Sequence, residues 1–380
     1  MTTPRRKRIL VACNHLATVG GSELYTFYLI KALKKLRKYE ISYFTHVRGA
    51  ISERIEDELG VPFKSGRQFE LIIASHNTTV NFLFGQGPIL QVCHGPIPEM
   101  EQPSPLADYH IAVSEEVRAH LGSLGFPSTV VLNGIDLETF APEIPISEKP
   151  RKILSLCQSK EANEWLSEIC EEENLRFSAI DKHRNPSFRV NKEINNADLV
   201  IGIGRSVYDA MACGRPCILF DKRSYNGNLG DGYLKPDTFA AFVRYNCSGR
   251  YSKRKFSKSE MKREIGKYRK QDGLELRKIA QERLNLKANT DALLQIGFGI
   301  QQIAHLRHRL GVLFRWGQYR KLFAFQKRQV RARMQAKFME GSSLFEIQEM
   351  IAKERFVLPL RVSLYAYWLK LWLKGSEQSN

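Results

Sequence analysis

Residues 197–221 read ADLVIGIGRSVYDAMACGRPCILFD, and this stretch determines the predicted fold. The apolar run over 199–203 predicts a short strand buried on both faces. Gly204 permits a sharp turn, and the pattern that follows predicts a helix over 206–213, ended by a glycine and a proline. A second apolar run over 217–220 predicts the next buried strand. Strand, helix and strand in this order indicate a parallel α/β sheet.

The start of this helix predicts an anion site. The first N–H groups of a helix lack partners inside the helix, and they point out of the sheet edge where the preceding strand ends. Arg205 adds a full positive charge at this turn. The stretch therefore predicts a phosphate-binding turn.

The rest of the chain repeats the alternation of strand and helix. In the first half it predicts strands at 8–13, 41–46, 70–75, 89–93, 110–114 and 129–132. In the second half it predicts strands at 152–157, 175–180, 199–203 and 217–220, followed by an irregular Gly/Asn-rich segment over 226–237. Three prolines mark a linker over 141–150. Two α/β units joined by a linker imply a cleft between them, the usual place for a ligand.

Two further features follow predicted strands. Gly20 and Gly21 stand at the first strand–helix turn, where freed backbone amides suit a pyrophosphate. The alternative is a plain tight turn capped by Ser22. His94 ends the strand over 89–93 and could donate a hydrogen bond or shuttle a proton. The alternative is a structural histidine with satisfied hydrogen bonds.

Composition narrows the class of protein. The chain has 380 residues, 43% of them hydrophobic, which supports two packed cores and excludes a disordered protein. Its seven cysteines form no CxxC pair, so we expect a reducing compartment and neither a disulfide framework nor a zinc framework. The apolar run after Arg5–Arg8 is interrupted by Asn14 and His15, so we expect a first strand there and no signal peptide.

Five landmarks together resemble glycosyltransferase family 4. They are GGSE at 20–23, HG at 94–95, VSEEVRAHL at 113–121, NGIDLETFAP at 133–142 and DAMACGRP at 209–216. The resemblance covers roughly residues 8–290. It implies a GT-B fold, in which two Rossmann-like domains face a cleft, and a nucleotide-sugar donor used with retention of configuration and without a metal ion. It divides the chain into an acceptor domain over 1–145, a donor domain over 151–290 and a basic helical extension over 291–380.

The resemblance also implies roles for single residues. Gly20 and Gly21 would contact the donor diphosphate, and His94 would lie near the reacting sugar. Asp209 would take the place of the acid that binds the ribose hydroxyls, whereas the preceding acid of that motif falls on Ile201. Asp209 could instead belong to a capping box with Ser206.

The diphosphate would be held by a second group of residues. Lys160 is the candidate cation after the first strand of the donor domain. Gly204, Arg205 and Ser206 would bind at the helix start, where Arg205 can clamp a phosphate bidentately. Surface roles for Arg205 and Lys160 are the alternatives. No Asp-x-Asp motif occurs, so we expect no metal site and no cofactor beyond the donor substrate.

The C-terminal segment has a separate chemistry. The net charge of the chain is +18, and residues 301–380 hold 15 Lys and Arg against 5 Asp and Glu. Aromatic residues alternate with these cations, which favours an anionic membrane surface. The alternative is that one helix packs back on the first domain and the rest forms a partner surface.

Three functions remain open at this stage. We expect first an active glycosyltransferase, in the cytoplasm or on the inner face of a membrane, that acts on a glycan or lipid-linked acceptor in polysaccharide or glycolipid synthesis. Ile201 favours a second one, a partner subunit that binds nucleotide sugars without turnover. The charge alone raises a third, a protein that binds or modifies nucleic acid, which we rank last because no nucleic-acid motif occurs.

Overall fold

The computed structural model describes residues 5–181 and 186–307, together with residues 324, 327, 328, 331, 332, 334 and 335. Both sheets belong to one compact unit, Met1–Leu306, whereas the second unit, Arg307–Asn380, falls almost wholly outside the described residues. Of the predicted membrane surface over 301–380, only residues 301–307 and the seven single residues named above are among the described residues. Within the described ranges, no helix is long and apolar enough to cross a bilayer.

Six parallel strands form the first sheet, in the spatial order β2-β1-β3-β4-β5-β6. Its elements are β1 (Lys7–His15), α1 (Gly21–Lys35), β2 (Tyr39–Val47), α2 (Ala50–Asp57), β3 (Leu71–Ser75), α3 (Asn77–Leu83), β4 (Ile89–Cys93), β5 (Tyr109–Ala112), α4 (Glu115–Ser123) and β6 (Ser128–Val130). Every residue of β3 and β4 is buried, as expected for central strands of a parallel sheet. We call these elements the N-terminal lobe.

Five strands form the second sheet, in the order β11-β10-β9-β7-β8. The elements are β7 (Lys152–Ser155), α5 (Lys160–Glu172), β8 (Arg176–Ala179), α6 (Val190–Asn196), β9 (Leu199–Gly202), α7 (Arg205–Ala212), β10 (Cys217–Phe220), β11 (Gly230–Tyr233), α8 (Phe239–Phe242), α9 (Lys258–Gly266), α10 (Lys270–Arg283) and α11 (Leu286–Arg307). We call β7 to β11 with α5 to α10 the C-terminal lobe. The stretch over 197–221 folds as predicted, with β9, a turn, α7 and β10 in succession.

The predicted fold class is confirmed. Both sheets are built from parallel strands joined by helices, apart from the antiparallel edge strand β11, and the two Rossmann-like lobes face each other across a cleft. This is the arrangement of the GT-B fold. The two sheets occupy residues 7–130 and 152–233. The domain limits taken from the resemblance stay predictions.

The segment over 226–237 is more regular than the sequence predicts. It contains β11, which pairs with β10 as the antiparallel edge strand. A Cβ atom on Gly230 would lie only 2.7 Å from the carbonyl oxygen of Leu219, so the close approach of the two backbones requires glycine there. Glycine has a low strand propensity, and for that reason the sequence pattern hides the strand.

The linker between the lobes is fixed to the C-terminal lobe. The buried Arg215 donates a hydrogen bond to the carbonyl oxygen of Ile144 at 2.6 Å. The carboxylate of Asp198 accepts the backbone N–H groups of Ser147 and Arg151 at 3.1 and 2.9 Å. The linker is therefore not a free tether.

Helix α11 carries the chain back to the N-terminal lobe. At its start, the N–H of Ile135 donates to the carbonyl oxygen of Leu284 at 2.7 Å. Further along, the ring of Phe298 stacks on Tyr39 with a centroid distance of 5.6 Å, and the ammonium group of Lys7 lies 4.4 Å from the same ring. The sequence analysis gave as its alternative that one helix of the C-terminal segment packs back on the first domain, and α11 has this placement.

Candidate functional site

A cleft of about 400 Å³ lies between the two lobes. The ends of β1, β3 and β4 open into it from one side, and the turn between β9 and α7 opens into it from the other. Ligands of α/β sheets bind at such strand ends. Seven of the eight predicted site residues line this cleft, namely Gly20, Gly21, His94, Gly204, Arg205, Ser206 and Asp209.

Lys160 is the eighth, and it does not line the cleft. Helix α5 begins at this residue, since the hydroxyl of Ser159 accepts the N–H of Ala162 as an N-cap. The Lys160 side chain is 71% exposed, and its Nζ lies 3.4 Å from Glu164 on the same helix. The geometry gives the predicted donor-binding role of Lys160 no support. Gln158, two residues earlier, lines the cleft instead.

The glycine pair before α1 serves two different purposes. A Cβ atom on Gly20 would collide with the carboxylate of Glu23, whereas one on Gly21 would meet no heavy atom within 4 Å. Gly20 is thus required by the packing of Glu23 inside the lobe. Gly21 leaves its backbone open to the cleft, as the predicted contact with a diphosphate requires.

Gly204 forms the turn that aims α7 at the cleft. Its φ of +64° is a left-handed conformation that side chains disfavour. No side chain caps α7, so Ser206 and Asp209 do not form the capping box that was the alternative role for Asp209. The start of the helix remains available to a ligand.

Arg205 is a buried cation that lacks a hydrogen-bond partner. Its side chain is only 9% exposed, and its guanidinium carbon lies 5.0 Å from the ring of Tyr28 in the N-terminal lobe. Among the described residues, none accepts a hydrogen bond from Nε, Nη1 or Nη2. Buried guanidinium groups are costly unless they are paired, so this one is arranged for an anion that enters the cleft.

Asp209 lies one helical turn after Arg205. Its Oδ1 is 3.5 Å from Nη2 of Arg205, which is beyond good hydrogen-bond geometry, and it has no hydrogen-bond partner in the described part of the chain. Burial raises the pKa of Asp209 to about 6, and the charge of Arg205 offsets only part of that effect. A ligand hydroxyl group that donates to Oδ1 would satisfy this carboxylate.

His94 is held rigidly at the end of β4. Its Nε2 lies 3.1 Å from the hydroxyl of Ser75, its ring meets the edge of Tyr25, and its backbone N–H donates to Glu101 at 2.8 Å. Burial lowers the pKa of His94, and the positive charges of His76 and Arg205 act in the same direction. The imidazole is therefore neutral near pH 7 and acts as a hydrogen-bonding group.

The sequence analysis missed a group of titratable residues on the same wall. His15, Glu23, His76 and Glu101 all line the cleft at the strand ends of the N-terminal lobe. His15 ends β1, just as His94 follows β4, so the rule that singled out His94 could also have found His15. In the sequence, His15 stands out only as an interruption of an apolar run.

Two more arginines of the C-terminal lobe line the cleft, and both are paired. Arg223 donates to the buried Asp221 at 2.6 Å. Arg250 reaches across to the N-terminal lobe, where its Nε donates to Oε1 of Glu116 at 2.7 Å and its Nη2 to Oε2 at 2.5 Å. Arg205 differs from both because its guanidinium group has no such hydrogen bonds.

Ile201 lies away from the cleft. It occupies the middle of β9, pairs in register with Ile218 and Ser155, and is completely buried in the core. The side chain at this position packs inside the lobe. No carboxylate can face a sugar from here.

Comparisons with known proteins give a limited result. No family model matches this chain, and no curated protein matches it. Solved structures are similar to it at low identity. MurG from Acinetobacter baumannii has 12% identity and a TM-score of 0.47, over 77% of this chain and 99% of that one. The catalytic domain of starch synthase IV from Arabidopsis thaliana has 10% identity and a TM-score of 0.45, over 78% and 99%. The UDP-GlcNAc 2-epimerase from Methanocaldococcus jannaschii has 12% identity and a TM-score of 0.42, over 76% and 99%. Scores this low carry no argument about activity.

Proposed function

We propose that this protein binds a nucleotide sugar in the cleft between its lobes and transfers the sugar to an acceptor hydroxyl group. The observation that carries the proposal is the pair Arg205 and Asp209. A nine-tenths buried guanidinium group, which has no hydrogen-bond partner among the described residues, stands next to a buried carboxylate whose Oδ1 also lacks one there. A nucleoside diphosphate satisfies both groups, because its phosphate oxygens accept hydrogen bonds and its ribose hydroxyls donate them.

Each wall of the cleft has a part in this chemistry. When the bond between the sugar and the diphosphate breaks, negative charge develops on the leaving diphosphate. Arg205 and the first N–H groups of α7 stabilise this charge. Gly21 on the opposite wall lets the diphosphate approach the start of α1. The neutral His94 offers a hydrogen bond to a hydroxyl group of the sugar.

For the acceptor, we propose a chemical class. The loop Pro96, Ile97, Pro98 and Met100 gives the cleft a partly apolar wall on the N-terminal lobe. Together with the basic segment over 301–380, this wall fits a glycan or lipid-linked acceptor presented at an anionic membrane surface. Proton NMR of the product, made in the presence of EDTA, reports whether transfer retains the configuration and proceeds without metal, as the family resemblance implies.

Titration calorimetry with UDP, GDP and ADP and their sugar conjugates tests the binding step. Release of the nucleoside diphosphate in the presence of acceptor extracts tests the transfer step. We expect saturable binding of one nucleotide series and loss of that binding in Arg205→Gln. Arg118→Gln is the matched control, since Arg118 lies on α4, is 55% exposed and pairs with Glu115. Equal binding by both variants contradicts the proposal.

A second function rests on Ile201. If transfer requires a carboxylate at this position, the protein binds nucleotide sugars as a partner subunit without turnover. The isoleucine at this position, in place of an acid, favours this alternative. Binding of a nucleotide sugar without release of diphosphate, under every acceptor condition tried, distinguishes it from the first proposal.

A further inference from the structure

Four residues that line the cleft carry a buried polar atom without a hydrogen-bond partner among the described residues. Two of them, Arg205 and Asp209, have roles in the proposed function. The atoms of the other two are Oδ1 of Asn133 and Oγ of Ser248. These residues are only 7% and 6% exposed. Buried polar groups cost free energy unless they are hydrogen-bonded, so this second pair indicates a further contact with the ligand.

Asn133 is held firmly at the junction of the two lobes. It belongs to the NGIDLETFAP landmark and follows shortly after β6. On one side of it, the carbonyl oxygen of Leu132 accepts the side-chain N–H of Asn289 at 2.7 Å. On the other side, a Cβ atom on Gly134 would lie 2.6 Å from Cα of Leu286, so glycine is required for this close approach. Helix α11 therefore fixes the backbone around Asn133.

Ser248 belongs to a strained turn of the C-terminal lobe, between α8 and α9. Asn246 and Cys247 precede it, and both have left-handed backbones, with φ of +53° and +48°. Residues other than glycine adopt this conformation rarely, and such strain concentrates at functional sites. The side-chain N–H of Asn226 donates to the carbonyl oxygen of Ser248 at 2.8 Å and holds the turn in place.

This turn packs against the start of α7. The N–H of Gly204 donates to the carbonyl oxygen of Cys247 at 2.8 Å. Oδ1 of Asn246 accepts the hydroxyl of Tyr208 at 3.1 Å and faces Nδ2 of Asn133 at 3.5 Å. Because the Nδ2 end of the Asn133 amide faces Asn246, the Oδ1 end is the one that a ligand can use. Asn133 and the turn over 246–248 thus adjoin the helix start that the proposed function assigns to the diphosphate.

The chemistry of the pair fits a neutral sugar. Oδ1 of Asn133 accepts hydrogen bonds, and the hydroxyl of Ser248 can both donate and accept, which suits sugar hydroxyl groups. A sugar carboxylate would need a cation. Within the described part of the cleft, two of the three arginines already pair with Asp221 and Glu116, and the third, Arg205, is assigned to the diphosphate.

We propose that Asn133 and Ser248 bind hydroxyl groups of the transferred sugar; this inference rests on the proposed function and specifies a neutral sugar as its donor group. The sugar is bonded directly to the diphosphate, so a diphosphate at the start of α7 brings it beside the turn over 246–248. The acid that the resemblance assigns to the sugar falls on Ile201, which is buried in the core. Asn133 and Ser248 supply such a contact from another part of the fold.

The test measures how much the sugar adds to the affinity for the nucleotide. Calorimetric titrations of the full-length protein use UDP, GDP and ADP, alone and as their glucose, galactose and mannose conjugates. In Asn133→Ala and in Ser248→Ala, we expect the affinity for the best conjugate to fall about 3- to 10-fold, because each variant removes one neutral hydrogen bond. The affinity for the nucleoside diphosphate alone should stay at the wild-type value. The glucuronic acid conjugate of the same nucleotide should bind the wild type more weakly than the neutral conjugates.

Ser128→Ala is the matched control. Oγ of Ser128, on β6, is also buried without a hydrogen-bond partner among the described residues, but Ser128 lies outside the residues that line the cleft. We expect this variant to bind the nucleoside diphosphate and its sugar conjugate with wild-type affinities.

Fluorinated sugars test the assignment in the wild-type protein as well. Replacing one sugar hydroxyl group by fluorine removes a donor to Oδ1 of Asn133. For the hydroxyl group that Asn133 binds, the fluorinated conjugate should lose about 3- to 10-fold in affinity for the wild type. Asn133→Ala should bind the fluorinated and the ordinary conjugate equally, because two changes that remove the same contact do not add.

Four outcomes overturn the assignment in distinguishable ways. Wild-type affinity for the conjugate in both variants removes the sugar contact alone, and buried water then satisfies the two groups. An equal loss for the nucleoside diphosphate and its conjugate assigns the residues to the nucleotide. A loss confined to the KM for the acceptor assigns them to the acceptor. Failure of the wild-type protein to bind any of these nucleotides or conjugates removes the proposed function and the sugar contact together.

Discussion

At the scale of single residues, Arg205 gives the most information about what the cleft binds. The buried Arg215 is used internally, because it holds the linker. Arg205 has the contact with Tyr28 and a carboxylate at 3.5 Å, but within the described part of the chain it has no hydrogen bond to compensate its burial. A protein that keeps such a residue loses stability in the free state and regains it when an anion binds.

Arg205→Met should therefore separate binding from stability. We expect nucleotide affinity to fall about 10- to 100-fold, since a hydrogen bond to a charged group contributes roughly 1.5–3 kcal/mol. The midpoint of thermal unfolding of the free protein should stay the same or rise, because a buried cation that has no hydrogen bond among the described residues is gone. Calorimetric titration and thermal melts measure the two effects. A large drop in the melting midpoint of the free variant would show that Arg205 is a structural residue.

Asp209 predicts a dependence of stability on pH. Its pKa rises from 3.8 to about 6 on folding. Between these values the folded protein keeps a proton that the unfolded chain has released, so the free energy of unfolding falls as the pH rises through this window. At 1.36 kcal/mol per pKa unit, the loss is about 3 kcal/mol at pH 7.

Asp209→Asn removes this titration. We expect the variant to be more stable than the wild type at pH 7 and to lose that advantage near pH 3.8, the ordinary pKa of an aspartate. We expect it to bind nucleotide more weakly than the wild type at both pH values. Urea unfolding at a series of pH values measures the difference. A constant difference across the series would contradict a raised pKa for the buried carboxylate of Asp209.

At the scale of elements, the turn before α1 offers a matched pair of substitutions. Gly20→Ala should destabilise the fold, because its methyl group would displace Glu23. Gly21→Ala has space for its methyl group and should leave the melting midpoint unchanged. It should still weaken nucleotide binding if the diphosphate approaches the start of α1. Melts and titrations of both variants decide this, and unchanged nucleotide affinity in Gly21→Ala would exclude such an approach.

The strands also show which parts of the fold the sequence predicts. The strands β3, β4, β9 and β10 are wholly buried, so their apolar runs predict them directly. The edge strand β11 was missed because glycines permit its pairing and remove its pattern. Part of the wall that the C-terminal lobe gives to the cleft was predicted, because one short stretch, from Gly204 to Asp209, contributes four of its lining residues, Gly204, Arg205, Ser206 and Asp209.

The opposite wall was not predictable in the same way. His15, Glu23, His76 and Glu101 come from four places in the chain, and only the order of the parallel strands brings them together. The placement of Lys160 outside the cleft was not predictable for the converse reason. It stands close in sequence to the cleft-lining Gln158, yet the helix start points its side chain to solvent.

At the scale of the whole molecule, the placement of α11 changes how the basic segment should be tested. Deletion from residue 301 would cut this helix, so the chain should be shortened after Arg307 instead. This removes 14 Lys and Arg with 5 Asp and Glu, about half of the net charge of +18. We expect the shortened protein to bind nucleotide normally and to lose co-sedimentation with vesicles that contain anionic lipid. Continued co-sedimentation would assign membrane binding, if any, to the two lobes.

The return of α11 also has a consequence for synthesis on the ribosome. The N-terminal lobe needs a segment that lies beyond the whole of the C-terminal lobe, because Phe298 covers Tyr39 and the start of β1. The ribosome must therefore complete the second lobe before the first can finish folding. A nascent chain released at the linker would carry the six strands of the first sheet without the contacts that Phe298 of α11 supplies.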